Sequence, residues 1–465
     1  MAREYQVMVI GSGPGGYVAA VQAAQLGLRT VCIEKMPTLG GTCLNVGCIP
    51  SKALLQSSEY FELINKSVKE HGIEVQGASY NLTRMMQRKE LVVKGLVDSV
   101  ASLFKGNHIE RILGEARFKD SHTVEVINGS DIKTIDADFI IIATGSEPIN
   151  LPFLPFDDKT IVSSTGALSL EEVPKRMLVV GAGAIGLELA SVYNRLGTKI
   201  TVIEMLDRVT PTMDLAVSKQ LLQVLKKQGL EFYLGAKVTE AIKEKEGITL
   251  AVDYEGKQMK FQGDVVLVAV GRRPYTQGLN LEAAGVTISP KGLIPIDGNF
   301  RTSQSHIFAI GDVVDGPMLA HRASHEGIAV AEIIAGKHSH VNYMAIPNVV
   351  YTHPEVSAVG LTDNEARAAG LKVIVGTAFF RGNARARCSG DIEGFVKVIG
   401  EAASGRLLGM HMIGAHSSEM IAEGVIAIEK KATLQDIATA PHAHPTLSET
   451  IMEAAQNALK DRSQT

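Results

Sequence analysis

The amino-acid sequence predicts an α/β protein with two nucleotide-binding domains, followed by an α+β domain in its C-terminal part. The two nucleotide-binding domains are predicted from two glycine motifs, GSGPGG at Gly11–Gly16 and GAGAIG at Gly181–Gly186. Each follows a short apolar run typical of a β-strand and opens a segment of helix-forming composition. After about Ile346 there is no further motif of this kind, and strand-like runs precede helical segments, which predicts the α+β domain.

The first unit is a strand–helix–strand unit at the start of the chain. Gln6–Ile10 is apolar and rich in β-branched residues, and Gly16–Leu26 has helix-forming composition. Thr30–Ile33 is a second apolar run, and it ends at Glu34. This order of runs predicts a βαβ unit.

The glycines of the first motif have separate predicted roles. Gly11 permits a tight turn, Gly13 lets the backbone approach a pyrophosphate, and Gly16 allows close helix–strand packing. The helix N-terminus then offers N–H groups and a positive dipole end, and Glu34 would accept hydrogen bonds from a ribose. The alternative is a glycine-rich turn that binds no ligand.

The second unit repeats the first at a constant spacing. Gly181, Gly183, Gly186 and Glu204 each lie 170 positions after their counterparts, so a second nucleotide site is predicted. A carboxylate at Glu204 favours a free 2′-hydroxyl and repels a 2′-phosphate, which predicts NAD rather than NADP. The alternatives are that Glu204 faces solvent or that the nearby Arg208 weakens the discrimination.

The stretch Gly40–Lys52 reads GGTCLNVGCIPSK and places Cys43 and Cys48 five residues apart. With four cysteines in 465 residues the chain is not a disulfide-stapled secreted scaffold. Two nucleotide sites beside a thiol pair predict an electron relay from thiols through a flavin to a nicotinamide. On an ideal helix residues five apart point about 140° from each other, so a disulfide requires a distorted helix, which Gly41 and Gly47 would permit.

Two other interpretations of the cysteine pair remain open at this point. They could be reduced core cysteines, or two ligands of a metal ion. A zinc site would need two more ligands, and neither Cys32 nor Cys388 has a matching spacing. No metal is therefore predicted.

Thiol chemistry needs a base, because the thiolate is the nucleophile. The strongest candidate is His444 in the sequence HAHPTLSE, with Glu449 as the group that holds one ring nitrogen. We expect Pro445 at the first helical position, which places His444 just outside the helix and Glu449 one turn inside it. The alternative is a capped surface helix without a catalytic role.

Composition excludes several classes of function. The length indicates two or three domains, and a net charge of −4 without a basic run argues against nucleic-acid binding. Tyr5–Leu28 carries no formal charge, but its glycines divide it into strand, turn and helix, so no membrane role is expected. The first residues do not resemble a signal or transit peptide, and a cytoplasmic location is expected.

These motifs, taken together, identify a family. The sequences GGTCLNVGCIPSKALL and HAHPTLSE, the two glycine motifs, ATG at Ala143–Gly145, VGRRP at Val270–Pro274 and AIGDV at Ala309–Val313 resemble the disulfide-dependent flavoprotein reductases. The resemblance implies an FAD-binding domain at 1–148 with a second part at 276–346. It also implies an NAD-binding domain at 149–275 and a C-terminal dimerisation domain at 347–465.

The resemblance also implies residue roles. FAD would be contacted by Gly11, Gly13, Gly16, Glu34, Lys52, Gly114, Thr144, Gly145, Asp312, Met318, Leu319, Ala320 and His321. NAD would be contacted by Gly181, Gly183, Gly186, Glu188, Glu204, Val238 and Gly271. Cys48 would face the flavin and Cys43 would exchange with substrate, Lys52 would pair with Glu188, and the His444–Glu449 dyad would come from the second identical subunit.

The implied activity is oxidation of protein-bound dihydrolipoamide to lipoamide, with reduction of NAD+ to NADH. One tightly bound FAD per subunit would serve as the intermediate carrier. The expected partners are a lipoyl-bearing acyltransferase component of a 2-oxoacid dehydrogenase complex or the carrier protein of the glycine cleavage system. The alternative is another pyridine nucleotide-disulfide reductase of the same architecture.

Overall fold

The computed structural model describes residues 3–245 and 247–462. The helices are α1 (Pro14–Gln25), α2 (Gly41–Val46), α3 (Cys48–Lys66), α4 (Leu82–Gly106), α5 (Ser164–Ala167), α6 (Ala184–Arg195), α7 (Leu215–Lys227), α8 (Ala320–Ile334), α9 (Asp363–Ala368), α10 (Ala384–Ser389), α11 (Ser417–Glu429), α12 (Leu434–Thr439) and α13 (Glu449–Arg462). The strands are β1 (Tyr5–Ile10), β2 (Thr30–Glu34), β3 (Glu110–Leu113), β4 (Glu115–Phe118), β5 (Thr123–Asn128), β6 (Asp131–Ile142), β7 (Ser146–Pro148), β8 (Ile161–Val162), β9 (Arg176–Val180), β10 (Lys199–Glu204), β11 (Glu231–Leu234), β12 (Lys237–Lys243), β13 (Ile248–Tyr254), β14 (Lys257–Gly263), β15 (Val265–Val268), β16 (Arg272–Pro274), β17 (Ile307–Ala309), β18 (Asn348–Val350), β19 (Glu355–Gly360), β20 (Val373–Phe379), β21 (Phe395–Glu401) and β22 (Leu407–Gly414).

The chain forms two compact units, each built from three separate segments. The first unit contains the chain up to Leu54 together with Asn81–Asn150 and Gly271–Val341. The second unit contains Leu55–Tyr80 and Leu151–Val270 together with the chain from Asn342 onward. The domain boundaries derived from the sequence remain predictions.

A mainly parallel sheet forms the centre of the first unit. Its order is β3-β2-β1-β6, with β17 also parallel to β6, and β5 and β4 continue it as antiparallel strands. In β1, Val9 pairs with Cys32 on one side and Ile141 on the other, and all three are fully buried. Burial on both faces is typical of parallel strands covered by helices, and here α1 and α8 pack tightly against each other. A Cβ on Gly327 would lie 2.6 Å from the carbonyl oxygen of Gly15, so only glycine permits this approach.

The second unit contains a parallel sheet and two antiparallel sheets. The parallel sheet has the order β11-β10-β9-β15-β8, and β12-β13-β14 form a small antiparallel sheet. The C-terminal sheet has the order β18-β19-β22-β21-β20, with α11 and α13 packed against it. The predicted fold class, two βαβ nucleotide-binding units and an α+β C-terminal part, is confirmed.

Element bounds differ slightly from the sequence expectation at the first glycine motif. Helix α1 begins at Pro14 rather than Gly16, because Gly13 is the residue before the helix and has extended backbone angles (φ −64°, ψ −179°). The missing N–H of Pro14 is not needed at the first helical position. The N-terminal end of α1, where a pyrophosphate is predicted to bind, is therefore at Gly13.

Among the residues that the structure describes, no helix is long and apolar enough to cross a membrane.

Candidate active site

The first glycine motif forms a turn that only glycine can adopt. Gly11 has φ +99°, and a Cβ there would lie 2.5 Å from the carbonyl oxygen of Ala143. A Cβ on Gly16 would lie 1.9 Å from the carbonyl oxygen of Gly11. At Gly13, in contrast, a Cβ would meet nothing within 4 Å. Gly11 and Gly16 therefore serve the fold, whereas the space beside Gly13 is open for a ligand.

Glu34 lies at the end of β2 beside this turn. It is buried, and its Oε2 accepts hydrogen bonds from the backbone N–H of Ser12 at 2.8 Å and the hydroxyl of Ser12 at 2.6 Å. Its Oε1 accepts the N–H of Met36 at 2.8 Å. Gly114 N donates to the backbone oxygen of Glu34 at 3.0 Å, which brings another predicted FAD contact to the same place. The carboxylate is thereby fixed, and each oxygen has lone pairs left for a ribose hydroxyl.

The second motif has the same geometry. Gly181 has φ +105°, with its Cβ position 2.5 Å from the carbonyl oxygen of Ala269, and a Cβ on Gly186 would lie 2.3 Å from the oxygen of Gly181. A Cβ on Gly183 would meet nothing within 4 Å. The two turns are therefore equivalent dinucleotide cradles at the N-termini of helices.

Glu204 in the second cradle makes the same kind of hydrogen bonds as Glu34 in the first. Its Oε2 accepts the N–H of Ala182 at 2.6 Å, and its Oε1 accepts the N–H of Leu206 at 2.8 Å. Arg208, which could have weakened the NAD inference, donates to the backbone oxygen of Pro211 at 2.8 Å. Glu204 is thus held at the end of β10, where it would accept hydrogen bonds from a ribose.

The cysteine pair lies where one helix stops and another starts. Cys43 is in α2, Gly47 breaks the helix with φ −140° and ψ −113°, and Cys48 is the first residue of α3. A Cys43–Cys48 disulfide requires such a break. On a regular helix the two side chains would point about 140° away from each other. Both residues are thiols in the structure, with Cys43 half-buried and Cys48 exposed.

The two thiols are hydrogen bonded to each other. The bond to Cys48 is the largest cause of a raised pKa at Cys43, and burial adds to it, while the charge of Lys52 acts in the opposite direction. Lys52 lies one turn after Cys48 on α3, so both residues share a face of the helix. The positive charge of Lys52 favours a thiolate at this pair.

Residues that follow β6 and β17 contact one another within the first unit. The Thr144 hydroxyl donates to the backbone oxygen of Tyr275 at 2.6 Å, and Tyr275 N donates to the Gly145 oxygen at 2.8 Å. The Ser146 hydroxyl donates to the carboxylate of Asp312. Arg272 donates from Nε to the Ser146 hydroxyl at 2.7 Å. The predicted FAD contacts Thr144, Gly145 and Asp312 are therefore brought together.

A buried ion pair holds the loop that carries Asp312. Arg322 and Glu326 are 1% and 0% exposed, and Arg322 Nε donates to Glu326 Oε1 at 2.8 Å. Glu326 Oε2 accepts the N–H of Gly311 at 2.7 Å. The remaining predicted FAD contacts, Met318–His321, lie where α8 begins, with Leu319 as the residue before the helix.

Besides Glu204, three predicted NAD contacts lie outside the second glycine motif. Glu188 is buried in α6, and its Oε1 accepts the N–H of Tyr351 at 3.0 Å. Val238 is buried in β12, and Gly271 adopts φ +123° just before β16. Glu188 and Val238 belong to the second unit and Gly271 to the first. Their NAD contacts, and the pairing of Lys52 with Glu188, stay predictions.

The predicted dyad is present in the second unit. His444 Nδ1 lies 2.9 Å from Glu449 Oε1, and Glu449 Oε2 accepts the N–H of Thr446 at 2.8 Å. The Thr446 bond and the bond with His444 lower the pKa of Glu449. Because an ionised carboxylate only accepts, Nδ1 donates, and Nε2 is the acceptor of the neutral ring. The His444 side chain is 72% exposed.

One local expectation at the dyad is wrong. Pro445 is not at the first helical position, since α13 begins at Glu449. The residues between them turn instead, because Glu449 and the Ala443 carbonyl oxygen bind the N–H and hydroxyl of Thr446. Glu449 therefore joins His444 from the first residue of the helix rather than from one turn inside it.

Sequence reasoning missed residues that support the site. Ser12 donates to the predicted Glu34. Arg272 donates to Ser146, which donates to the predicted Asp312, and Glu326 accepts the N–H of Gly311 beside Asp312. Arg272 had a signal, because it lies inside the VGRRP motif. Ser12 likewise lies inside the GSGPGG motif, whereas the Arg322–Glu326 pair lies outside every motif.

No group of three or more His, Cys, Asp or Glu side chains suited to a metal ion occurs in the described part of the chain.

Comparison with known proteins places the chain in a family. The profile described as pyridine nucleotide-disulphide oxidoreductase matches residues 5–327, and the dimerisation domain of these proteins matches 346–455. The chain is a pyridine nucleotide-disulphide oxidoreductase. The resemblance stated from sequence motifs is thereby confirmed.

Individual relatives of this oxidoreductase cover nearly its whole length. The mitochondrial dihydrolipoyl dehydrogenase of Schizosaccharomyces pombe is 48% identical over 97% of this chain and 89% of that protein. The mitochondrial dihydrolipoyl dehydrogenase of Homo sapiens is 46% identical over 96% and 89%. The solved structure of LpdA from Mycobacterium tuberculosis has a TM-score of 0.90 at 25% identity, covering 97% of this chain and 99% of that one. The Cu(II) complex of the HOCl-induced flavoprotein disulfide reductase RclA from Escherichia coli has a TM-score of 0.87 at 27% identity, over 98% and 99%.

The two cradles of the oxidoreductase fit its implied cofactors, FAD and NAD(H). Each has a glycine with open space beside it, Gly13 or Gly183, at a helix N-terminus suited to a pyrophosphate. Each has a fixed carboxylate, Glu34 or Glu204, at the neighbouring strand end. The matched dimerisation domain supports a homodimer.

Proposed function

We propose that this oxidoreductase is an NAD+-dependent dihydrolipoyl dehydrogenase that acts on dihydrolipoamide attached to a carrier protein. The observation that carries the proposal is the hydrogen-bonded Cys43–Cys48 pair at the start of α3, in a chain that also holds the His444–Glu449 dyad. A thiol pair and a separate base suit a dithiol substrate. The full-length relatives named dihydrolipoyl dehydrogenase support the same activity.

The chain's own residues would perform the thiol chemistry as follows. Nε2 of His444, contributed by the second subunit, accepts a proton from one substrate thiol. The substrate sulfur then attacks Sγ of Cys43 in the Cys43–Cys48 disulfide, and Cys48 leaves as a thiolate. The second substrate sulfur, once deprotonated, attacks the mixed disulfide and releases Cys43, which takes up a proton. The substrate loses two electrons and two protons and closes to lipoamide, while the cysteine pair gains the two electrons.

FAD, held at the first cradle by Gly13 and Glu34, would supply two-electron redox chemistry between the reduced cysteines and NAD+. Cys48, released as a thiolate when the disulfide opens, is the first residue of α3. Lys52 lies on the same helix face and would stabilise that thiolate. Glu449 would keep His444 in the tautomer that accepts at Nε2 and would stabilise the imidazolium after proton transfer.

The test is a direct assay of purified protein. We expect a flavin absorbance spectrum, NADH formation from dihydrolipoamide, and no comparable rate with oxidised glutathione and NADPH. We also expect a long-wavelength thiolate-to-flavin band after partial reduction. Preference for glutathione or mercuric ion over dihydrolipoamide would favour another disulfide reductase of the same architecture and refute the proposal.

We propose two finer points with it. The carrier is the lipoyl-bearing acyltransferase of a 2-oxoacid dehydrogenase complex or the carrier protein of the glycine cleavage system, and co-purification from the native source would identify which. The location is cytoplasmic, although the relatives compared above carry mitochondrial names. Cell fractionation with an antibody to the protein would decide the location.

A further inference from the structure

A cluster of arginines lies beside the dyad. The stretch 379–390 reads FFRGNARARCSG, with three arginines and no acid, in a chain whose net charge is −4. Arg381, Arg385 and Arg387 are all exposed. No ion pair joins them to a carboxylate within the described residues, and Arg381 instead lies over the exposed ring of Phe379, with Cζ 4.8 Å from its centroid. We call Phe379, Arg381, Arg385 and Arg387 the arginine patch.

Hydrogen bonds fix the arginine patch to the dyad. Asn383, in the middle of the patch and 2% exposed, is the residue before α10 and accepts the N–H of Ala386 at 3.0 Å. Its Nδ2 donates to the backbone oxygen of Thr446 at 2.9 Å and to the hydroxyl of Thr450 at 3.1 Å. Thr446 N donates to Glu449, the residue that holds His444. The helix that carries Arg385 and Arg387 is therefore anchored to the loop of the base.

Nearby acids do not neutralise the patch, because they have partners of their own. Asp391 contacts His353 at 3.4 Å, and Glu393 contacts Lys227 at 3.1 Å. The patch thus presents uncompensated positive charge and an exposed aromatic ring next to an exposed catalytic base. Arginine and aromatic side chains are the residue types enriched at protein–protein interfaces.

We propose that the arginine patch is the docking surface for an acidic protein domain that carries the dithiol substrate to His444. The inference rests on the proposed function and adds the surface that recognises the carrier. Charge complementarity determines this occupant: a neutral small dithiol gains nothing from three arginines, whereas an acidic carrier is attracted before its substrate arm reaches the site. Attraction of this kind acts mainly on the association rate and weakens with salt.

The test compares two substrates that carry the same reactive dithiol. Free dihydrolipoamide and a dihydrolipoylated carrier domain of net negative charge are assayed with wild type and with the double variant Arg385→Glu/Arg387→Glu. The matched control is Arg367→Glu/Lys372→Glu, which makes the same charge change at exposed positions elsewhere in the same unit. Arg381 and Asn383 are left intact so that the Phe379 contact and the link to Thr446 persist.

We expect the double variant to lose about tenfold or more in kcat/KM for the carrier at low salt, the lower end of electrostatic steering. Its kcat/KM for free dihydrolipoamide, its KM for NAD+ and its dimer state by sedimentation should equal those of wild type. The carrier defect should disappear in about 1 M salt, where the screening length is about 3 Å. The control variant should behave as wild type.

Several outcomes would overturn the docking surface. An unchanged carrier rate in the double variant, with wild type oxidising free dihydrolipoamide, would refute this inference alone. Equal losses with both substrates, or dissociation of the dimer, would assign the patch to the site itself or to the contact between copies of the chain. If wild type oxidises neither substrate, the proposed function fails, and the docking surface fails with it.

Discussion

Nδ1 of His444 lies 2.9 Å from Oε1 of Glu449, and the second oxygen of the same carboxylate accepts the N–H of Thr446 at 2.8 Å. Both carboxylate oxygens accept hydrogen bonds, which fixes the orientation of the carboxylate. The imidazole ring is thereby held in the tautomer whose Nε2 can accept a proton. A free surface histidine would have neither a fixed tautomer nor a fixed orientation. The dyad is thus arranged before any substrate arrives.

Replacing either dyad residue should slow the thiol step. We expect His444→Gln to lower kcat/KM for dihydrolipoamide by about 10²-fold or more, the usual scale for a general base. Glu449→Gln should have a smaller effect, because the amide can still hold the ring but no longer carries the charge that stabilises the imidazolium formed by proton transfer. Flavin absorbance should stay at the wild-type level, and the exposed His338→Gln serves as control. Normal turnover by His444→Gln would remove the base from the mechanism.

Alanine at the two open glycines should separate the two cofactors. A Cβ at Gly13 or Gly183 meets no protein atom within 4 Å, so both variants should fold, yet the methyl group would enter the space for a pyrophosphate. Gly13→Ala should weaken FAD retention, measured by flavin fluorescence after dialysis. Gly183→Ala should keep FAD and raise KM for NAD+, and each variant is the control for the other. Equal flavin loss in both would contradict the assignment of the cradles.

Glu204→Gln should relax the preference for NAD+. The amide keeps an acceptor for the N–H of Ala182 or Leu206 and removes the charge that repels a 2′-phosphate. We expect the ratio of kcat/KM for NAD+ to that for NADP+ to fall about tenfold, equivalent to about 1.4 kcal/mol. Glu34→Gln, which makes the same change at the first cradle, should leave this ratio alone. A wild-type enzyme that already uses both nucleotides equally would defeat the prediction.

His353 should make the stability of the protein fall at alkaline pH. Its Nδ1 lies 3.3 Å from Glu59 and its Nε2 lies 3.4 Å from Asp391, and these bonds raise its pKa to about 9. Because the folded pKa is above the unfolded value, the stabilisation is complete below about pH 6.5 and is lost as pH rises through 9. Arg195, which pairs with Glu62, lies near Glu59, and His416 lies near Asp391, so these groups also face this contact.

The measurement is the melting temperature between pH 6 and pH 10. Wild type should decline between pH 8 and pH 10, whereas His353→Gln should melt lower at pH 7 and show a flatter profile. Two carboxylates would then face a neutral amide, which explains the lower starting point. Parallel profiles for the two proteins would show that His353 does not set the alkaline limb.

The local structures that the sequence predicted are those built from neighbours in the chain. The Gly11 and Gly181 turns and the break between Cys43 and Cys48 follow from residue types at fixed short spacings. Pro445 shows where this reasoning fails. A proline before a helical run suits a helix start, but the contacts of Thr446 with Ala443 and Glu449 delay the helix to Glu449.

Sequence alone determined the fold class, the two cradles, the dithiol and the dyad, because glycine, cysteine and histidine at those spacings permit few other structures. Only the tertiary structure decided what holds them: the Arg322–Glu326 pair under the Asp312 loop, Asn383 beneath the dyad, and His353 between two carboxylates. Each of these contacts depends on residues brought together by packing. A hydrogen bond of about 3 Å between distant segments is set by the three-dimensional positions of the backbone, which no local spacing records.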